Sequence, residues 1–156
     1  MGDLAQSNLP RFDEPLHPRL GRYLQEHTRA WKATISRADA IVLVVPEGNY
    51  GFPAAAKNAL DYRNRERAYK RVGIASCGDV PAGTRAMQML KQEITAVKLT
   101  PGSESVSIPF LSQEVGPDGL LRANDVMDRA AGEVLAEPAR REEGRRRQRL
   151  AAAVAA

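Results

Sequence analysis

Apolar positions along the chain change period several times, and each change marks an element. Leu20, Leu24, His27, Trp31 and Ile35 recur at roughly helical spacing, which predicts an amphipathic helix from about Gly21 to Arg37. Ile41 to Val45 are then five consecutive branched apolar residues, the pattern of a strand buried on both faces of a parallel sheet. Pro46 ends that run, Glu47 to Gly51 form a polar glycine-containing turn, and Pro53 with Ala54, Ala55 and Ala56 opens a helix. Val72 to Ala75 is a second short apolar run without alternation, and Met87, Leu90, Ile94 and Val97 mark a helix over about 83–98. Val106, Ile108 and Phe110 alternate as a third strand would, and Asn124 to Ala136 read as a last helix with Asn124 as its N-cap. Helices thus alternate with strands, which is the order of an α/β fold with parallel strands and right-handed crossovers. A polar loop at the carboxyl end of a buried parallel strand is where open α/β sheets take their ligands. The turn after Val45 is therefore a candidate site as well as a fold signal.

Composition narrows the class. A chain of 156 residues, 43% of them hydrophobic, is one ordinary globular domain on the length prior. The single cysteine, Cys77, excludes an internal disulfide framework and fits a reducing compartment. One cysteine and two histidines also argue against a structural zinc site, so no metal is expected. No run reaches the length of a membrane span and the first residues are polar, so the expectation is a cytoplasmic protein without a membrane partner. Much of the net charge of +4 comes from Arg140, Arg141, Arg145, Arg146, Arg147 and Arg149. That cluster reads as a solvated tail over 139–156 rather than a nucleic-acid contact, because no aromatic interleaving or nucleic-acid motif accompanies it.

Pro46-Glu47-x-Asn49-Tyr50, Phe52-Pro53-Ala54, Lys57-Asn58-Ala59-Leu60-Asp61-Tyr62 and Arg65-Glu66 together resemble the NADPH-dependent FMN reductases of the flavodoxin-like superfamily. Val72-Gly73-Ile74-Ala75-Ser76-Cys77-Gly78 resembles the next strand and flavin loop of that family, and Gly83-Thr84-Arg85-Ala86 the helix after it. The resemblance runs from about Asp3 to Glu137, so residues 1–138 form the domain and 139–156 the tail. It implies a flavodoxin-like three-layer α/β sandwich with a parallel sheet ordered 2-1-3-4-5. It also implies bound FMN, NAD(P)H as the hydride donor, a flavin, quinone or similar small acceptor, and a homodimer or homotetramer. By the same resemblance Pro46, Glu47, Gly48, Asn49 and Tyr50 would line one edge of the flavin, and Ser76, Cys77, Gly78 and Asp79 would approach its pyrimidine edge. No catalytic acid, base or nucleophile is expected, since the flavin ring carries the hydride chemistry.

The family's first strand, phosphate-binding loop, first helix and second strand have no counterpart before Asp3, so the domain is expected to be N-terminally truncated. In that case the Ile41–Val45 strand becomes a sheet edge, a hazard for association. The alternative reading is a flavin-free fragment that survives only as an oligomer or bound to a partner.

Each site residue also has a plainer role open to it. Asn49 can satisfy its own turn, Tyr50 can pack, Gly78 can end a strand, and Cys77 can fill space with no His or Lys beside it. His27 reads as a packed or rim histidine, and it forms no triad with Ser76 and Cys77. Departures from the family pattern are Gly48 in place of Tyr, Asp79 in place of a second Gly, and Arg71 in place of Pro. Arg63 and Arg67 fall on the stripe of Ala56 and Leu60 that should face the sheet.

Overall fold

The computed structural model describes residues 3–62 and 69–138. Three parallel strands, β1 (Ala40–Pro46), β2 (Arg71–Gly78) and β3 (Thr100–Pro109), pair in the order β1-β2-β3. Between and around them lie α1 (Leu4–Ser7), α2 (Glu26–Ser36), α3 (Ala54–Asp61) and α4 (Thr84–Ala96), with a last helix, α5, over 125–138. This is the α/β arrangement with parallel strands that the apolar pattern predicts. Arg63, Arg67 and the 139–156 tail lie outside the described residues.

Alternate residues of each strand face opposite layers. Ile41, Leu43 and Val45 of β1 and Val72 and Ile74 of β2 turn to one side, where Ala56 and Leu60 of α3 and Met87, Leu90 and Ile94 of α4 close the main core with Leu99. On the other side Gly73 of β2 leaves room for Val134 of α5, whose methyl group occupies the space a side chain would need. Gly102 similarly admits the Glu137 carboxylate, which accepts the Ser103 amide at 3.1 Å through both oxygens. Opposite that contact the β2–β3 register is irregular, stepping from Val72↔Pro101 to Ile74↔Ser105.

Three expectations need correction. β1 is not buried on both faces: Val42 is 45% and Val44 72% exposed. The reason is position, because β2 is the central strand and α5 packs on it beside β1, leaving the outer valines of β1 bare among the described residues. The helix placed at Gly21 starts at Glu26, since Gly21 takes a left-handed φ of 67° at the end of a short 3-10 turn (Pro18–Leu20). A buried carboxylate, Glu14, then accepts the Leu24 and Gln25 amides at 2.9 and 3.1 Å and fixes where α2 begins. Burial alone would raise the Glu14 acid, but the hydrogen bonds donated to it prevail and hold it below the usual glutamate value. Finally, β3 begins six residues before Val106 and ends at Pro109, so Phe110 lies beyond the strand with a φ of 47°.

Asn124 caps α5 as expected, its side chain accepting the Val126 and Met127 amides at 3.1 and 3.0 Å. Among the described residues no helix is long and apolar enough to cross a membrane.

Candidate functional site

Parallel pairing of β1 with β2 sets Pro46 opposite Cys77 and brings the two loops that follow these strands together. The Glu47 amide donates to the Cys77 carbonyl at 2.8 Å, extending the pairing one residue beyond Pro46. The chain then doubles back: Gly48 and Gly51 exchange both backbone hydrogen bonds, at 2.9 and 3.0 Å. Asn49 and Tyr50 form the tip, with φ of 49° and 70°. Positive φ at both central residues is the requirement of the tight primed hairpin turn. Asn meets it readily, whereas a bulky Tyr in that region is strained. Among the described residues nothing accepts a hydrogen bond from the Asn49 or Tyr50 amide or engages the Asn49 carboxamide. The tip therefore offers free donors to solvent or to a ligand.

The second loop is tighter. Asp79 accepts the Ala82 amide at 3.0 Å, and Ala82 and Gly83 both take left-handed φ, 53° and 79°, before α4 begins. A side chain at Gly83 would come within 2.7 Å of the Cys77 nitrogen and Ser76 Cβ. Only a glycine lets the loop turn this closely over the end of β2. Ser76 is buried and its hydroxyl donates to the Ala82 carbonyl at 3.3 Å, so it faces the interior of the loop. Burial pushes the Cys77 thiol above its ordinary value, which suits a packed side chain rather than a reactive one.

Glu47 links the loops. Its side chain is only 6% exposed; one oxygen accepts the Arg85 and Ala86 amides at 3.0 and 3.4 Å and the other the Arg85 guanidinium at 3.0 Å. The Arg85 guanidinium lies 4.0 Å from the centroid of the Tyr50 ring. The structure thus brings together Pro46, Glu47, Asn49, Tyr50, Cys77, Gly78 and Asp79 at the carboxyl ends of β1 and β2. Gly48 stands in open space, with nothing that an added Cβ would meet.

Arg85 lies in the resembling segment Gly83 to Ala86 but was not among the expected site residues, and its pairing with Glu47 spans 38 positions. A polar fastening at the far end of α3 was likewise not anticipated. Asn58 accepts the Phe12 amide at 2.9 Å and donates to the Pro10 carbonyl at 2.6 Å. One turn on, the buried Tyr62 hydroxyl lies within 3.2 Å of the Pro10 and Arg11 carbonyls and 2.9 Å from Asp13, whose carboxylate also meets His27 at 2.9 Å. Burial, and then the Asp13 carboxylate, push the Tyr62 hydroxyl up to about 12. Asp13 itself is held below its ordinary value because the hydrogen bonds from His27 and Tyr62 outweigh the loss of solvent. Lys57 pairs with Asp61 at 2.6 Å along the same helix. Much of the motif from Lys57 to Tyr62 is therefore scaffold.

The start of α4 is already filled: its Arg85 and Ala86 amides are taken by Glu47, so it is not free for a phosphate group. The donors at the hairpin tip are backbone amides and a carboxamide, groups suited to a ligand edge rich in hydrogen-bond acceptors.

Known proteins resemble this chain in sequence and in fold. A family model described as NADPH-dependent FMN reductase matches residues 1–113. An NAD(P)H-dependent FMN reductase of a Nectria species is 32% identical over 146 residues, covering 90% of this chain and 71% of that protein. One from Schizosaccharomyces pombe is 43% identical over 89 residues, 56% of this chain and 44% of its own. Another from Saccharomyces cerevisiae is 32% identical over 114 residues, 69% of this chain and 59% of its own. The chain thus spans about half the length of the two yeast relatives. Among solved structures, FerB, a flavoenzyme NAD(P)H:(acceptor) oxidoreductase from Paracoccus denitrificans, superposes with a TM-score of 0.68 at 21% identity, over 86% of this chain and 76% of that one. That likeness supports the flavodoxin-like fold.

Proposed function

The chain belongs to the NADPH-dependent FMN reductase family, and from that premise we propose that it passes hydride from NAD(P)H through bound FMN to a small acceptor such as free flavin or a quinone. The observation that carries this reading is the hairpin tip, where the Asn49 and Tyr50 amides and the Asn49 carboxamide have no partner among the described residues. Unmet donors of this kind suit a ring edge rich in acceptors.

A bound flavin supplies the hydride chemistry itself. The protein's part is to bind, orient and shield. Asn49 and Tyr50 would donate to one edge of the ring, while the loop from Gly78 to Asp79 would present backbone to the edge where negative charge gathers. The Asp79 carboxylate is unfavourable toward that charge, and the Arg85 cation beside Tyr50 is already paired with Glu47. Cys77, half-buried and with a raised thiol, is not suited to proton transfer.

Association as a homodimer or homotetramer is part of the same proposal, supported by the bare outer face of β1 at Val42 and Val44. Light scattering coupled to gel filtration reads it directly.

The deciding experiment is FMN binding by the purified chain, followed by quenching of flavin fluorescence and co-elution. Micromolar or tighter binding is expected, and NAD(P)H oxidation with quinones then assays turnover. A folded chain that leaves flavin fluorescence unquenched would overturn the proposal and leave a flavin-free module in its place.

A further inference from the structure

We propose that Glu47 is a positioning residue that locks the Tyr50 hairpin to the first turn of α4 through Arg85, and so sets the shape of the ring-binding edge; this rests on the flavin reading above. Its charge is nearly buried, which is costly unless the carboxylate is fully paired. The pairing is supplied from one direction only, the start of α4. There the Arg85 and Ala86 amides and the positive end of the helix favour an anion, and the Arg85 guanidinium adds a charged hydrogen bond at 3.0 Å.

Arg85 passes the constraint on. Held by Glu47, it stacks at 4.0 Å on the ring of Tyr50, a residue 67% exposed and at a positive φ, in a hairpin with few other restraints. Through its own backbone Glu47 is fixed to the Cys77 carbonyl at 2.8 Å, and its Cβ lies 3.4 Å from where a side chain on Gly78 would begin. One residue therefore touches the end of β2, the start of α4 and, through Arg85, the hairpin tip. An ordinary helix cap would explain the amide contacts. It would not explain a guanidinium shared between that cap and an exposed aromatic ring on the ligand side.

The two roles separate experimentally in the full chain. Glu47→Gln keeps shape and one acceptor but loses the charge, and Arg85→Met keeps the stem but loses both the ion pair and the stack. Each is expected to weaken FMN binding about tenfold, read by flavin fluorescence below the melting temperature of the variant. The double variant should bind no more weakly than either single one, because the two residues act as a unit. Amide exchange in the flavin-free chain gives an independent reading: residues 48–51 should exchange faster in both single variants. A lowered melting temperature with unchanged affinity, or additive losses in the double variant, would reduce Glu47 to a helix cap and overturn the inference. If Glu47→Gln fails to fold, the exposed Arg85→Met still tests the point through affinity and hairpin exchange. A parent chain that binds no FMN would overturn the flavin reading, and unchanged exchange at 48–51 would overturn the positioning role on its own.

Discussion

Tyr62 shows how much one side chain can carry here. Its ring is fully buried against Phe12 and His27, and its hydroxyl is the meeting point of the Pro10–Asp13 segment with α3. Tyr62→Phe keeps the ring and removes the one hydroxyl donor shared among the Pro10 and Arg11 carbonyls and the Asp13 carboxylate. The expected cost is about 1–3 kcal/mol in urea unfolding. The pH dependence has a definite sign. Because the hydroxyl is raised from 10.0 to about 12 in the folded chain, the unfolded chain loses this proton first as pH rises. The contribution is complete below about pH 10 and is lost as pH climbs through about 12. Unfolding midpoints of the parent and of Tyr62→Phe should therefore converge across that window, and a constant gap between them would contradict the assignment.

At the scale of elements, the junction between β2 and α4 is the tightest point of the site. Gly83→Ala would force a side chain at a φ of 79° to within 2.7 Å of the Cys77 and Ser76 atoms. A loss of about 2 kcal/mol or more is expected, together with weaker flavin binding, since the loop can relax only by lifting off β2. Chemical denaturation and the same fluorescence titration check both halves. The elements themselves were largely legible in the sequence. Strands β1 and β2, the span of α4 and the Asn124 cap follow from local apolar runs and a short-range side-chain bond. The start of α2 did not, because Glu14 sets it from eleven residues away. The apolar run of β1 did not by itself show its exposure, since five branched residues read alike at the centre and at the edge of a sheet, although its place at an edge was anticipated. At the site, the turn Pro46 to Tyr50 and the loop after Ser76 were found from the sequence. Their joining through Glu47 and Arg85 was not, as the ion pair spans 38 residues.

For the molecule as a whole, a ligand that binds only the folded chain raises its stability by mass action. At an FMN concentration about 100 times its dissociation constant the gain is about 2.7 kcal/mol, which corresponds to a rise in Tm of roughly 5–10 °C for a domain of this size. Differential scanning fluorimetry read through tryptophan emission would measure it. A Tm indifferent to FMN would count against both the cofactor and the positioning role derived from it. The shift should be smaller at equal FMN in Glu47→Gln, in proportion to its weaker binding.

What the sequence determined by itself is what local chemistry can encode. Branched runs make strands, alanine after proline starts a helix, and a polar turn between them marks a place for a ligand. What only the tertiary structure decided is which groups are left over once the chain has satisfied itself. Asn58 and Tyr62, prominent in the motif, are engaged in holding the Pro10–Asp13 segment, and Ser76 is engaged by its own loop. Among the described residues Asn49 and the Tyr50 amide have no partner, and Arg85, whose ion pair no local pattern announces, stands beside them. Hydrogen bonding and charge pairing act through space over a few ångströms, and the sequence distances they bridge are set by how β1, β2 and α4 pack.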